Sequence, residues 1–233
     1  MRSNNNKKKV VKKVFDKVFN KYDLMNDILS FGSHRLWKKQ MMNWMSPSQH
    51  TILLDMASGT GDIAKLFLKY VKNNGKVYAV DPNLKMIEIG KKKNDKLKNI
   101  KWFHNSAEKL FFDNGYFDYY TISFGLRNVS NINMTLKEAY RVLKPGGRFL
   151  CLEFSKIQNH NLNKLYNLYS KKIPKIGKFI IGDSEPYEYL VKSIKNFYNQ
   201  DELLDLLKKN NFYNPEYRNL GNGIVAIHSG WKL

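Results

Sequence analysis

Cysteine is nearly absent: Cys151 is the only one in 233 residues, so no intrachain disulfide can form, which fits a reducing compartment. Acidic residues are scarce, 20 Asp and Glu against 40 Lys and Arg, for a formal charge of +20. Long apolar runs are missing too. None approaches the ~20 residues that a helix needs to span a bilayer. The stretch "MRSNNNKKKVVKKVF" has neither a secretory apolar core nor the Arg- and Ser-rich character of a transit peptide. The expectation is a protein that stays cytoplasmic. No Gly/Ser/Pro linker and no internal repeat interrupts the chain. What is present, 42% hydrophobic residues, excludes global disorder and supports a single domain over residues 1–233.

A charge of this sign suits nucleic acid or an anionic membrane. The lysines are dispersed through every segment apart from the arm Lys7–Lys13, so most of the charge reads as a lysine-biased composition on solvated faces. Cys151 sits inside the apolar run "RFLCLEF" and reads as a buried strand residue.

The first fifty residues read as a helical extension or lid. Val10, Val11, Val14, Phe15, Val18 and Phe19 recur at helical spacing, and a second helix over about Ser33 to Met45 ends before Pro47. From Thr51 short apolar strands alternate with helices: "TILLDM", a helix from Gly61 to Val71, "KVYAVD", a helix Leu84–Lys93, "IKWFHN", "FDYYTISF", a helix around Met134–Leu143, the turn "KPGG", and "RFLCLEF". Such alternation implies right-handed crossovers and an α/β fold with a doubly wound, mostly parallel sheet. A helical insertion over about residues 158–197 precedes the amphipathic "QDELLDLLKK". Two last strands around Gly221-Asn222-Gly223 form a terminal antiparallel hairpin, for seven strands in all.

The loop "LLDMASGTGDIA" carries the chemistry. Gly59-Thr60-Gly61 joins a strand to a helix, as in dinucleotide-binding folds, and admits a ligand close to the backbone. A pyrophosphate there wants positive potential, yet Asp55 and Asp62 bracket the loop and no Walker lysine follows. A cationic cofactor without phosphates, S-adenosylmethionine, suits it better. Asp81 ends the second strand, where a carboxylate accepts ribose hydroxyls. An aspartate alone in such a place reads as a helix cap; strand, glycine loop, helix, strand and Asp together point to a nucleoside site. Ser106 and Ala107 follow the third strand and either border the adenine or cap a short helix. "TISFGLRN" ends the fourth strand and faces the pocket with Ser123, Arg127 and Asn128. His50, His104, His160 and His228 share no ligand spacing, so no metal is assigned.

"YDLMNDILSFGSHRLW", "DMASGTGDIA", "ISFGLRNV", "RVLKPGGRFLCLEFS" and "GIVAIHSGWKL" together resemble the ubiquinone/menaquinone biosynthesis C-methyltransferases, the UbiE/COQ5 family, from about Val14 to Leu233. The resemblance implies a class I methyltransferase fold, S-adenosylmethionine as donor and a polyprenylated benzoquinol or demethylmenaquinol as acceptor. By motif it carries cofactor contacts onto Thr60, Asp81, Ser106–Ala107 and Ser123. The family commonly has Asn-Ala at Ser106-Ala107, a Gly or Ala at Ser58, and prolines where this chain has Phe111 and Phe112.

Methyl transfer to a ring carbon needs an ionised neighbouring hydroxyl, in-line geometry and exclusion of water. Arg127 is the expected electrostatic partner of the oxyanion, Asn128 orients the hydroxyl or a water, and Tyr22 closes the pocket. Each has a duller reading: Arg127 pairing with a carboxylate, Asn128 capping the next helix, Tyr22 in the core. His34 either positions its helix or meets substrate, and Glu153 reads as structural. A polyprenyl tail implies peripheral contact with an anionic membrane, on the cytoplasmic face of the inner membrane. A homodimer or a quinone-biosynthesis complex is left open. The alternative, an S-adenosylmethionine-dependent RNA methyltransferase, would use the positive charge on phosphates, but the basic-aromatic patch or appended module it usually carries is not evident, so no nucleic acid is expected.

Overall fold

The computed structural model describes Lys7, Val10, Val11, Lys13, Val14, Asp16, Asp27, Ser30 and residues 32–233. Tyr22, Phe15, Val18 and Phe19 lie outside the described residues. Seven strands, β1 (Ile52–Met56), β2 (Lys76–Asp81), β3 (Ile100–His104), β4 (Phe117–Ser123), β5 (Leu143–Phe154), β6 (Tyr213–Leu220) and β7 (Val225–Trp231), form one sheet in the order β3-β2-β1-β4-β5-β7-β6. The first five pair in parallel, and β7 runs antiparallel between β5 and β6. Helices α1 (His34–Met45), α2 (Asp62–Tyr70), α3 (Leu84–Lys93), α4 (Ile132–Val142), α5 (His160–Ile181), α6 (Glu185–Lys195) and α7 (Gln200–Lys209) complete the domain. The expected doubly wound sheet, the insertion (α5 and α6) and the terminal hairpin are all present.

Two apolar cores lie on opposite faces of the sheet. One gathers Leu54, Tyr120, Leu136, Phe149 and Leu203; the other gathers Met41, Met42, Leu53, Phe67 and Leu150. Adjacent residues of one strand, Leu53 and Leu54, feed opposite cores because strand side chains alternate. Helices cover both faces, so the central strands read as unbroken apolar runs. The edge strand β6 is mostly exposed, and its register shifts between Tyr213 and Glu216, around Pro215. Proline has no amide to give a ladder and is tolerated at such an edge.

One boundary differs from the expected one. "KPGG" is not a turn before β5 but an irregularity within it: Phe117 pairs with Leu143 and Tyr119 with Arg148, so Lys144–Gly147 bulge from the ladder. Gly146 takes a left-handed φ of 77° there, a conformation open to glycine at little cost.

Sheet order reverses between β1 and β4, the switch point where crossovers diverge and ligands bind. Both strands end in a non-glycine residue with left-handed φ, Ala57 at 54° and Phe124 at 55°. The two following loops approach closely enough that a Cβ on Gly125 would meet the Ala57 Cβ at 2.5 Å. Any larger residue at 125 would spread the switch point.

Candidate active site

A cavity of about 250 Å³ opens at this point, lined by Gly59, Asp81, Asn83, Met86, Ser106, Ala107 and Asn128, with Val11 of the N-terminal segment closing it. Asp81 organises one end. Its two carboxylate oxygens accept the amides of Gly59 (2.9 Å) and Asn83 (2.8 Å), tying the glycine loop to the end of β2. Burial pushes its carboxyl up to about 6, against the pull of those two amides. Asn83 caps α3 by accepting the amides of Lys85 and Met86, a contact worth ~1 kcal/mol. Its own amide nitrogen donates to Asp16 of the N-terminal segment at 3.1 Å. Ser106 and Ala107 line the cavity, and their segment is a turn, not the short helix that was the alternative.

Gly61, at φ 88°, caps α2, and a Cβ there would meet the Trp102 ring at 2.7 Å. The glycine therefore lets α2 lie close against the sheet as well as turning the loop. Phe111 and Phe112, which replace the family's usual prolines, pack against each other at 4.3 Å with tilted rings and meet Phe103 edge to face. Aromatic packing holds this loop in place of proline stiffness.

A smaller cavity adjoins the loop, bordered by Lys38, Asp55, Ser58, Thr60, Asp62 and Ser123. Three of its polar atoms are buried without a partner: Asp55 Oδ2, Ser58 Oγ and Ser123 Oγ. Thr121 donates to the other Asp55 oxygen at 2.9 Å, yet burial still pushes the carboxyl up to about 7. A carboxylate 1% exposed with one unmatched oxygen is unfavourable until a cation or donor meets it. The ammonium of a bound methionine moiety is such a group. These linings have the chemistry to hold S-adenosylmethionine: Asp81 could accept ribose hydroxyls, Ser106 and Ala107 could border adenine, and Asp55, Ser58 and Ser123 could meet the amino-acid end.

Arg127 and Asn128 lie in a 3₁₀ turn after β4. Arg127 is 8% exposed, and its guanidinium donates to Glu153, itself 1% exposed, at 2.9 Å and to the Phe124 carbonyl at 2.5 Å. Glu153 also accepts the amides of Arg127 and Phe154. The duller reading of Arg127, a pairing with a carboxylate, describes its contacts, while Nε carries no partner. Asn128 does not cap the next helix; Asn131 does that, accepting from Met134. Instead Asn128 lines the cavity and accepts the Tyr189 hydroxyl at 3.0 Å. Tyr189, from α6, and Tyr166, from α5, both lie in the field of Arg127, and burial pushes the Tyr166 hydroxyl up to about 12. Arg127, expected to face the pocket, borders neither cavity because its guanidinium turns to Glu153; the insertion packs its tyrosines around the turn that holds it and Asn128.

His34 turns to Asp27 at 2.9 Å and its amide meets Ser30, which positions α1. Sequence reasoning missed Lys38, Asn83 and Tyr189. An Asn two residues past Asp81, just before a helical pattern, was a readable capping signal. Tyr189 and Lys38 had none.

Comparison with known proteins bears on the fold and the family. The solved structure of a SAM-dependent methyltransferase from Thermotoga maritima superposes with a TM-score of 0.68 at 20% identity, covering 96% of this chain and all of that one (100%). A Haemonchus contortus N-methyltransferase solved with S-adenosylhomocysteine superposes at 0.63 with 14% identity, over 84% of this chain and 52% of that one. These share the fold. A Rickettsia bellii protein named ubiquinone/menaquinone biosynthesis C-methyltransferase UbiE is 49% identical over 98% of this chain and 95% of its own length. The mitochondrial 2-methoxy-6-polyprenyl-1,4-benzoquinol methylase of Gallus gallus is 44% identical over 94% of this chain and 83% of its own. The model of the ubiE/COQ5 methyltransferase family matches residues 1–232, and with a glycine loop and a cavity at the switch point of its sheet, the chain belongs to that family.

Proposed function

We propose that the protein is an S-adenosylmethionine-dependent C-methyltransferase acting on the ring of a polyprenylated quinol in ubiquinone or menaquinone biosynthesis. The observation that carries this reading is the small cavity with buried Asp55 unmatched on one oxygen, which shares Ala57, Gly59 and Phe124 with the larger cavity that Asn128 lines. The cofactor supplies an electrophilic methyl on a sulfonium. The chain's part is to hold the acceptor carbon in line, favour the ionised hydroxyl and keep water out. Asn128 borders the cavity with its amide orientation set by Tyr189, so it is suited to hold the reacting hydroxyl. Arg127 supplies positive charge behind it; Glu153 fixes the guanidinium while its unpartnered Nε remains for a developing oxyanion. Tyr22 belongs to this reading as the residue that closes the pocket, although it lies outside the described residues.

The N-terminal segment acts as a lid in this account. Lys7 donates to the Val129 carbonyl at 2.7 Å, Lys13 pairs with Glu185 at 2.8 Å, and Asp16 meets Asn83, so three points latch it across the cavity. The outer face of α5 is the proposed membrane contact. Leu168 and Phe179, the latter 92% exposed, lie three helical turns apart on a side flanked by exposed Lys164, Lys172 and Lys175. No helix among the described residues is long and apolar enough to cross a membrane. Salt-sensitive cosedimentation with anionic vesicles is expected, and no binding at low salt would remove this part.

The test of the reaction uses labelled S-adenosylmethionine with a short-tailed methoxybenzoquinol and a demethylmenaquinol. Product from the first alone assigns the ubiquinone route, and product from both makes the enzyme bifunctional. Transfer to neither, with cofactor still bound, refutes the substrate reading.

A further inference from the structure

Lys38 is a lysine in an unusual place for this chain: only 7% exposed, on the second turn of α1, with Nζ 2.7 Å from Asp62 Oδ2. An ammonium has three donors, and Asp62 takes one. The rest of the small cavity beside the glycine loop is acidic or neutral. Among the described residues bordering it, Lys38 is the single cation.

The amino-acid end of S-adenosylmethionine carries a carboxylate as well as an ammonium, and that carboxylate needs donors. The glycine loop has few to offer. The Ser58 amide already donates to the Val80 carbonyl, Gly59 to Asp81 and Gly61 to the Ser58 carbonyl. Asp55 and Asp62 would repel a second anion unless a cation stood between. Burial alone would raise the Asp62 carboxyl; the Lys38 ammonium holds it below the ordinary carboxylate range. Two acids and one lysine, facing a sulfonium, an ammonium and a carboxylate, sum to zero.

We propose that Lys38 binds the carboxylate of the cofactor's methionine end, held ready by Asp62, while Asp55 takes the ammonium across the same cavity. The inference rests on S-adenosylmethionine as the cofactor and adds the residue that reads its carboxyl group. It also makes α1 part of the site. A helix that precedes the first strand and packs Met41 and Met42 into one core then joins cofactor recognition to the N-terminal segment preceding it.

Calorimetric binding of two ligands tests this without turnover: S-adenosylmethionine, and its decarboxylated form, which keeps the sulfonium and the amine. Lys38→Met should weaken the first about ten- to hundredfold, the scale of a charge-assisted hydrogen bond. The decarboxylated ligand should bind as well or better, because a neighbouring cation has gone. Lys38→Arg should restore the preference for the carboxylated ligand. Asp62→Asn, which loosens the lysine but leaves its charge, should retain that preference in direction. Equal weakening of both ligands by Lys38→Met would overturn the proposal and make the lysine structural, as would no effect on either. A wild-type protein that binds neither ligand would overturn the cofactor reading and this proposal with it.

Discussion

The adenosine end of the cavity and the acceptor end are assembled from different kinds of contact. At the adenosine end most partners are neighbours along one strand–loop–helix–strand unit; the Asn83 amide, which donates to Asp16 of the N-terminal segment, is the exception. Asp81 takes one amide from Gly59 in the loop after β1 and another from Asn83, two residues on. At the acceptor end the partners come from distant sequence. Asn128 meets Tyr189, 61 residues away in the insertion, and Arg127 meets Glu153 at the far end of β5. The first end is a standard part of a doubly wound sheet; the second belongs to this chain's own elaboration of it. The proposed nucleoside contacts therefore rest on the fold, and the proposed acceptor contacts on what packs on it.

Breaking the acceptor end should have the largest effect on turnover. Arg127→Ala is expected to lower turnover about a hundredfold or more while leaving cofactor affinity largely intact. It also strands Glu153 in a buried site, at a cost of ~3–5 kcal/mol of stability. Pairing Arg127→Met with Glu153→Gln should recover the stability and not the turnover, as thermal unfolding and steady-state rates on the same samples would show. Unchanged turnover in Arg127→Ala would remove it from the mechanism.

Breaking the adenosine end should act on binding. Asp81→Ala removes a ribose acceptor and orphans two amides, so S-adenosylhomocysteine affinity should fall about ten- to hundredfold by calorimetry. Equal affinity would mean that Asp81 only braces the loop.

Between the two ends, Asp55 gives a pH signature. Its carboxyl in the folded protein is pushed up to about 7 from an ordinary 3.8 by burial, so below that pH it is neutral and offers nothing to an ammonium. Cofactor affinity should therefore rise with pH through neutrality, by up to about tenfold per unit on the acid side. The stability effect has the opposite sign. A folded pKa above the unfolded one favours the fold at low pH, and that contribution is lost as pH rises through 7. Asp55→Asn should flatten the affinity profile and stabilise the ligand-free protein above neutrality. A profile as steep as wild type would assign the titration elsewhere.

The smallest change is Tyr189→Phe, which deletes the hydroxyl that orients Asn128. Turnover should fall about fivefold, with stability altered by no more than ~1 kcal/mol. A loss of cofactor affinity instead would place Tyr189 at the wrong end of the cavity.

The same division governs how much could be read before the structure. The alternation of strands and helices, the terminal hairpin, Gly59, Asp81 and the helix beginning at Leu84 follow from periodicity and local turn chemistry, which act over a few residues. The "KPGG" bulge did not, because Pro145 and the two glycines satisfy a turn and a looped-out strand segment equally well. Lys38 looked like one of many solvated lysines. Its burial depends on Asp62, 24 residues away across the loop, and on α1 packing against α2. Arg127 was found by position, but its pairing with Glu153 depends on β4 and β5 ending side by side. Tyr189 had no local signal at all, since only the fold of the insertion brings α6 to the turn after β4.

The most direct measurement is the position of the label in the product formed from methyl-labelled S-adenosylmethionine and a short-tailed quinol, read by nuclear magnetic resonance. The account predicts a new methyl on a ring carbon beside an oxygen. A methyl on oxygen, or label found in RNA and not in the quinol, would contradict it.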